Sequence, residues 1–293
     1  MYYRHRFLLR LLQGLKGQAR NTSFQKLLFL SLCDASGQHY AFVPYKFGCF
    51  SFISYADRRR LVREGFLKNS SSWQLTAQGR SFQPALKISD ETAIATTIQN
   101  FGSMDYEELF AHVYNTFPYF ASRSEIAEKH LTLTARRQLA TREMAINQYP
   151  ALFTIGYEGR SLDSYLNLLI EHDIKTLIDV RRNPISMKYG YSKRQLSDYL
   201  KRIGIAYKHI PGLGIEGAKR KGLSAPEDYQ RLFAEYTESL SDRTESLREV
   251  QETVLSDARV ALTCFEKEHT SCHRGCITEH FEQEAVPFSI VHL

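Results

Sequence analysis

Long apolar runs and cysteines are both scarce in this sequence of 293 residues. No apolar run reaches the roughly eighteen residues that a membrane-spanning helix needs, which excludes such a helix. The five cysteines are odd in number, with Cys33 and Cys49 isolated, which argues against a disulfide framework and for a reducing compartment. Residues 1–20 carry arginines within their apolar part and no small-residue cleavage site, which is not typical of a signal peptide. We therefore expect a soluble, cytoplasmic protein without a membrane partner.

The excess of positive charge is confined to the first third of the chain. Residues 1–87 contain 14 Lys and Arg against 3 Asp and Glu, whereas residues 88–149 carry a net charge of −3 and residues 150–293 one of −2. A basic module of this kind is typical of proteins that bind nucleic acid, because clustered cations attract the phosphate backbone. The alternative is a basic surface that only contacts solvent.

The basic region has the pattern of a small DNA-binding fold. Its predicted elements follow the order of a winged helix: a first helix, a second helix that is basic, and a small hairpin. In that fold one helix enters the major groove of DNA and the hairpin, called the wing, touches the DNA backbone. Apolar spacing, glycines and the caps Thr22 and Ser54 predict these elements. They are a helix over 22–33, extended segments over 40–45 and 50–52, a helix from Ser54 to Gly65, and a strand that leads into a helix over 71–79.

Four arginines make the second predicted helix basic. They cover adjacent faces of that helix, so some of them must reach phosphate if the helix docks on DNA. The predicted DNA-binding residues are therefore Arg58, Arg59, Arg60 and Arg63.

The same region resembles a known group of proteins. The segments KLLFL, YAFVPYKFGCFSF, LTAQG and LFAHVYNTFPYFASRSEI, within residues 20–130, are similar to the winged-helix domains of phage-associated and antitoxin-like proteins of the SocA or Panacea type. The usual Gly-Pro-Phe-Ser turn of that group is Gly-Cys-Phe-Ser here, from Gly48 to Ser51. The resemblance implies DNA or a protein as the partner of this domain.

The remainder of the chain predicts a helical extension and an α/β domain. Residues 88–150 are predicted as helices, with a weak break near Pro118, followed by a linker. From residue 151 apolar strands alternate with amphipathic helices, which predicts a mostly parallel sheet with helices on both faces. The predicted domains are thus 1–87, 88–150 and 151–293.

Polar residues collect where the strands of this predicted sheet end. Parallel strands end at a common edge, and ligands bind there. A following helix adds free backbone N–H groups and a positive dipole end, which favour an anion. Carboxylates at this edge can transfer protons and arginines can hold phosphate. The residues placed there are Tyr157, Arg160, Asp179, Arg181, Cys264, Glu266, Cys272, His273 and Arg274.

The second half also resembles a family. The segments TIGYEGRSLDSYLNLL, LIDVRRNPIS, GLGI and LTCFEKEHTSCHRGCITEHF are similar to the domain-of-unknown-function family 488 over about residues 152–285. The name of this family does not state a biochemical activity. The resemblance implies an α/β fold and adds Pro184 and Ser186 to the candidate site residues.

Several of these residues have a structural alternative. Cys264 could be a nucleophile or a buried strand-end residue, and Asp179 could act on a substrate or only pair with a neighbouring arginine. His273 could only cap its helix. Zinc is not expected, because Cys272 and Cys276 are four residues apart on a helix and form no CxxC pair. We therefore predict no metal and no cofactor.

Together these observations favour an enzyme that acts on DNA or nucleotides. We expect cleavage of a glycosidic or phosphoester bond, in phage defence or the processing of modified DNA. Asp179, Glu266, His273 or Cys264 would be catalytic, and Arg181, Ser186, Tyr157, Arg160, Cys272 and Arg274 would bind a nucleotide or modified base. The alternatives are a non-catalytic nucleotide sensor that regulates DNA binding, with a homo-oligomer possible in either case, and a zinc-stabilised interaction module.

Overall fold

The structure is a computed structural model that describes residues 1–35, 37, 39–146, 149–220 and 222–293. The chain forms two compact units, Met1–Ala145 and Ile146–Leu293, called here the N-terminal and the C-terminal unit. Within the described ranges no helix combines the length and the apolar character that a membrane crossing requires.

The N-terminal unit is mainly helical. Its helices are α1 (Tyr3–Gly14), α2 (Asn21–Cys33), α3 (Phe52–Arg63), α4 (Ala77–Ser81), α5 (Ile88–Phe101), α6 (Tyr106–Thr116), α7 (Ala127–His130) and α8 (Leu133–Met144), with a 3-10 turn at Pro118–Ala121. Its short strands are β1 (Gln18–Ala19), β2 (Val43–Tyr45), β3 (Gly48–Phe50) and β4 (Trp73–Gln74). Strand β1 pairs with β4 and strand β2 pairs with β3, both antiparallel.

The apolar stretch at the start of the chain forms α1, a helix that the sequence analysis did not predict. Phe7, Leu9 and Leu11 are fully buried and join the core of the N-terminal unit. The arginines of this stretch lie between the core positions along the helix, as expected for a helix with one buried face.

Helix α3 forms where the basic helix was predicted, but its first residue and its cap differ. It begins at Phe52, and the Ser51 hydroxyl accepts a hydrogen bond from the Ser54 backbone N–H at 3.1 Å. The prediction that Ser54 caps this helix is therefore wrong by three residues. The N-cap is Ser51, which directly follows β3 and whose hydroxyl accepts the free N–H of Ser54. Thr22 likewise lies inside α2, which begins at Asn21 after an uncapped Arg20.

The C-terminal unit is a five-stranded parallel sheet flanked by helices, as predicted. Its strands are β5 (Ala151–Gly156), β6 (Thr176–Asp179), β7 (Ala206–His209), β8 (Arg259–Cys264) and β9 (Ser289–His292), in the order β7-β6-β8-β5-β9. Its helices are α9 (Leu162–Glu171), α10 (Lys193–Arg202), α11 (Pro226–Glu238), α12 (Thr244–Asp257) and α13 (His273–Gln283). All four strand pairs in this sheet are parallel.

Strand β8 shows how the sheet is covered on both faces. Every residue of β8 is buried, and alternate side chains point to opposite faces. Leu262 and Cys264 pack into the core that α11, α12 and α13 share with the sheet. On the other face the Tyr165 hydroxyl of α9 donates to Thr263 Oγ1 at 2.7 Å. The near-continuous apolar run of β8 is therefore the pattern of a central strand.

Candidate functional site

The carboxyl ends of three neighbouring strands bring the predicted site residues together. Strand β5 ends at Gly156, β6 at Asp179 and β8 at Cys264. In the sheet Gly156 lies opposite Cys264, and Asp179 lies opposite Thr263. The segments that follow these strands therefore leave the sheet side by side, at the edge where open parallel sheets bind their ligands.

Asp179 and Arg181 form a buried ion pair. Asp179 Oδ1 accepts from Arg181 Nε at 2.8 Å, and Oδ2 accepts from Arg181 Nη2 at 2.5 Å and from the Tyr207 hydroxyl at 2.7 Å. Arg181 Nη1 donates to the Tyr157 hydroxyl at 3.0 Å and to Tyr191 O at 2.9 Å. The Asp179 carboxylate and the Arg181 guanidinium thus form their hydrogen bonds with other groups of the protein. This geometry favours the structural alternative for Asp179, because its oxygens are already occupied by protein donors.

Arg274 supports the loop between β8 and α13. It is fully buried, its Nη2 donates to Glu266 O at 2.5 Å, and its Nε lies 3.3 Å from Cys272 Sγ. The same loop lies against Gly156, where any side chain would collide with Glu266 O. Arg274 and Gly156 together therefore fix the backbone at Glu266, and Arg274 is not among the residues that line the cleft described below.

Cys264, Cys272 and His273 form a buried cluster next to this loop. Their ligand atoms, the two Sγ atoms and a ring nitrogen, all lie within 4.8 Å of one another. His273 Nδ1 is 3.9 Å from Cys264 Sγ and 3.8 Å from Cys272 Sγ, whereas Nε2 is 3.2 Å from Val180 O. A carbonyl oxygen only accepts, so Nε2 carries a proton, and this contact turns Nδ1 towards the two sulfurs. Soft sulfur and imidazole donors in this arrangement are of the kind that hold zinc.

The two cysteines of the cluster differ in their pKa. The hydrogen bond with Cys272 and burial raise the pKa of the Cys264 thiol well above its usual range. Burial opposes the ionisation of Cys272, but hydrogen bonds from Cys264 and His273 and the nearby Arg274 charge lower its pKa well below the usual range. Burial also raises the pKa of Glu266, whose Oε2 lies 3.2 Å from Cys264 Sγ. The two shifts have opposite directions, so of the two sulfurs Cys272 is the one that ionises more readily.

A cleft of about 400 Å³ opens over this edge of the sheet. The Glu266 carboxylate forms part of its wall and accepts from Arg220 Nη1 at 3.3 Å. The Phe265 ring is 44% exposed and packs edge-on against Tyr157. The remaining lining is Arg181, Arg182, Asn183, Ile185, Ser186, Met187, Ile215, Gly217, Arg220 and Cys264. The cleft therefore combines cations, amide and hydroxyl groups, an exposed ring and a carboxylate.

The C-terminal unit also has a match among known families. The model of the domain of unknown function DUF488 matches residues 161–281. This segment is similar to DUF488. The resemblance predicted for the second half of the chain is confirmed over these residues. No curated protein and no solved structure matches the chain. The SocA or Panacea resemblance of residues 20–130 stays a prediction.

The predicted site residues of the C-terminal unit fall into two groups. Tyr157, Arg181, Ser186, Cys264 and Glu266 line the cleft. The other group is not part of the cleft lining, although all its members lie at or next to the same edge. It consists of Asp179, Cys272, His273 and Arg274, which are buried, and Arg160 and Pro184, which are half-buried.

Eight of the residues that line the cleft were not predicted from the sequence, and four of these carry the charges, the amide and the exposed ring. Arg182 and Asn183 follow the predicted Arg181 in the RRNPIS segment and are exposed. Phe265 stands between the predicted Cys264 and Glu266. Arg220 belongs to the glycine- and lysine-rich loop after β7, and only the fold brings it to Glu266. Adjacency in sequence could have identified the first three, whereas nothing local points to Arg220.

The four predicted DNA-binding arginines of α3 have different surroundings. Arg58 donates to Ser70 O at 2.5 Å and to Ser72 O at 2.9 Å, and it therefore supports the turn before β4. Arg60 pairs with Glu64 at 2.7 Å. Arg59 and Arg63 are exposed. Arg59 and Arg63 are therefore the two most exposed of the four arginines.

Proposed function

We propose that this protein is a hydrolase that cleaves a phosphoester bond of a nucleotide or of DNA in the cleft of its C-terminal unit. The observation that carries the proposal is the cleft itself. Arg182 and Arg220 offer charge-assisted hydrogen bonds to phosphate, and the exposed Phe265 ring offers a stacking surface for a base.

The cleft favours a phosphoester over a glycosidic bond. Glycosidic cleavage ordinarily uses two carboxyl groups that flank the bond. Among the described residues that line the cleft, Glu266 is the one carboxylate. Phosphoryl transfer depends instead on cations that stabilise the charge of the transferring group, which Arg182 and Arg220 can provide. Glu266 would then orient or activate the attacking water.

The N-terminal unit would bring this activity to DNA. Residues 1–87 carry a net charge of +11, and helix α3 presents Arg59 and Arg63 on its surface. Helix α3 is followed by the small antiparallel pairing of Leu67 with Leu75, in the position that a wing has after a recognition helix. These features support a winged-helix-like role in phosphate contact.

A specific observation also supports a second candidate, a nucleotide-sensing regulator without catalysis. Asp179 and Arg181 use their polar atoms on each other and on protein neighbours, which removes two of the predicted catalytic and phosphate-binding groups. A cleft with one carboxylate can bind a nucleotide without cleaving it. Such a protein would change its DNA binding when the cleft is filled.

Turnover and binding with the same variants distinguish the two candidates. Nucleotides and short DNA duplexes serve as probes, with product release followed by chromatography and binding followed by calorimetry. For a hydrolase, Glu266→Gln should lower turnover at least about a hundredfold while binding remains, as expected for loss of an acid or base group. Arg220→Ala should weaken binding of the phosphate probes.

Arg248→Ala is the matched control, because this exposed arginine on α12 does not line the cleft. Binding without any turnover by the wild-type protein would favour the regulator. Absence of both binding and turnover, or equal losses in Arg220→Ala and Arg248→Ala, would contradict a role for the cleft.

A further inference from the structure

We propose that Cys264, Cys272 and His273 form a binding site for a transition-metal ion, with zinc as the metal that fits best. The spacing of Cys272 and Cys276, which form no CxxC pair, predicts no zinc site. The structure shows that Cys276 is the wrong partner, since its Sγ lies 3.9 Å from Phe233 O in the helical core. The second sulfur comes instead from Cys264 at the end of β8.

The spacing of the donor atoms agrees with tetrahedral coordination. Zinc lies about 2.3 Å from sulfur and about 2.0 Å from an imidazole nitrogen, so tetrahedral angles place sulfur and nitrogen roughly 3.5 Å apart. In the protein the two sulfur-to-nitrogen distances are 3.9 and 3.8 Å. The two sulfur-to-nitrogen distances therefore need a contraction of a few tenths of an ångström, roughly, and the sulfur-to-sulfur distance, which is within 4.8 Å, needs one of up to about 1 Å.

The surroundings of the three donors are those of a metal site. His273 Nε2 is 3.2 Å from Val180 O, and this contact holds the ring with Nδ1 towards the sulfurs. A second hydrogen bond of this kind orients nearly all histidines that bind metals. Arg274 Nε lies 3.3 Å from Cys272 Sγ and stabilises negative charge on that sulfur. All three donors are buried, so water does not compete freely for them.

The fourth coordination position faces the cleft. Cys264 and Glu266 line the cleft, whereas Cys272 and His273 do not. Arg220 Nη2 lies 3.3 Å from His273 Nδ1, where it takes the place of a metal, and its side chain is 37% exposed. An entering metal therefore displaces Arg220 and leaves one position for water or a ligand atom. Three protein ligands with one open position are typical of zinc sites that take part in catalysis.

This site goes beyond the proposed function and does not depend on it. Each thiol that coordinates the metal releases its proton, so the site requires reduced cysteines. With a metal in place, a bound water in the open position would lie on the side of Glu266, whose Oε2 is 3.2 Å from Cys264 Sγ. The metal and Glu266 could then act on the same water.

Metal binding can be tested without any assay of activity. The reduced wild-type protein is stripped with chelator and titrated with Co²⁺ and then Zn²⁺. We expect one metal per chain, a thiolate-to-cobalt absorption band, and zinc X-ray absorption with two sulfur neighbours. Cys272→Ser, Cys264→Ser and His273→Ala should each weaken binding more than about a hundredfold, because loss of an outer partner alone costs about 10–100-fold.

Cys276→Ser is the matched control, because it removes a sulfur one helical turn from Cys272 and should leave metal binding unchanged. Arg220→Ala should keep or strengthen metal binding while it weakens phosphate binding, which separates this inference from the proposed function. The variants of Cys264, Cys272 and His273 count as folded if, without metal, their melting temperatures lie close to that of the wild type without metal. No stoichiometric metal in the reduced wild type, or a loss in Cys276→Ser equal to that in Cys272→Ser, would overturn the inference.

Discussion

At the scale of single residues, burial separates the polar groups that are bonded within the fold from the carboxylate that is exposed in the cleft wall. Asp179, Arg181 and Arg274 were grouped with Glu266 as candidates because all follow strand ends. In the fold the first three are buried and bonded to protein atoms, whereas the Glu266 side chain is 25% exposed in the cleft wall. The residue types alone do not separate these roles.

The Asp179–Arg181 pair gives a prediction of stability. Asp179→Asn leaves the buried Arg181 guanidinium without its counter-charge, and removal of one partner of a buried pair costs about 3–5 kcal/mol. We expect a loss of this size in the free energy of unfolding, measured by urea denaturation with circular dichroism. Glu266→Gln is the control and should change stability by under about 1 kcal/mol, since its carboxyl is part-exposed. Equal stability of Asp179→Asn and wild type would rule out the structural role.

Lys26 gives a prediction that depends on pH. Burial lowers its pKa to about 8, its Nζ donates to Phe47 O at 2.5 Å, and the Phe110 ring lies 3.5 Å away. The unfolded chain keeps this proton up to about pH 10.5, so between these values the unfolded state binds more protons than the folded state. The contribution of Lys26 to the free energy of unfolding should therefore rise with pH, by at most about 1.4 kcal/mol per pH unit above pH 8.

Lys26→Met isolates this contribution. The single tryptophan, Trp73, is fully buried in the N-terminal unit, so its fluorescence reports the unfolding of that unit. Urea titrations from pH 7 to 9.5 should show the wild type gaining stability relative to Lys26→Met above pH 8. Parallel pH curves for the two proteins would show that the Lys26 pKa is not lowered.

At the scale of elements, strand ends and helix starts carry the polar chemistry. The β8–α13 connection supplies Cys264, Glu266, Cys272 and His273 within ten residues. Its backbone is held by Arg274 and by the close approach at Gly156. Contacts to two other elements therefore position the backbone of this connection beside the sheet.

Helix α3 gives a prediction for DNA binding. Arg59→Glu with Arg63→Glu reverses two exposed charges and leaves the structural Arg58 intact. We expect weaker binding to duplex DNA of any sequence. The slope of log affinity against log salt concentration should also be smaller by about 2, because each lost phosphate contact lowers that slope by about 0.9. Arg137→Glu, an exposed arginine on α8, is the control. Unchanged binding at low salt would contradict the role of α3.

At the scale of the whole molecule, the two units differ in charge and in architecture. The net charge of +6 arises in the first 87 residues, and the C-terminal α/β unit is close to neutral. Each unit has its own hydrophobic core. The basic charge of the N-terminal unit and the cleft of the C-terminal unit are therefore separate features, and the variants of α3 and of the cleft test their proposed roles one at a time.

The sequence by itself determined the architecture of the C-terminal unit. Apolar runs such as ALFTIG and RVALTC can be satisfied only in a sheet covered on both faces, and the alternating helices require parallel strands. These are local and periodic signals, so they can be read without tertiary contacts. The common edge of Asp179, Cys264 and Glu266 follows from the same rule.

Only the tertiary structure decided what the residues of this edge do. Whether Asp179 is free or paired depends on Tyr207 from a neighbouring strand, and the neighbour of Glu266 is Arg220, which lies 46 residues away. The sulfur that joins Cys272 is Cys264 rather than Cys276, because Cys276 points into the helical core. These are long-range packing relations that no periodicity encodes, since a spacing of four residues on a helix says nothing about a strand beside it.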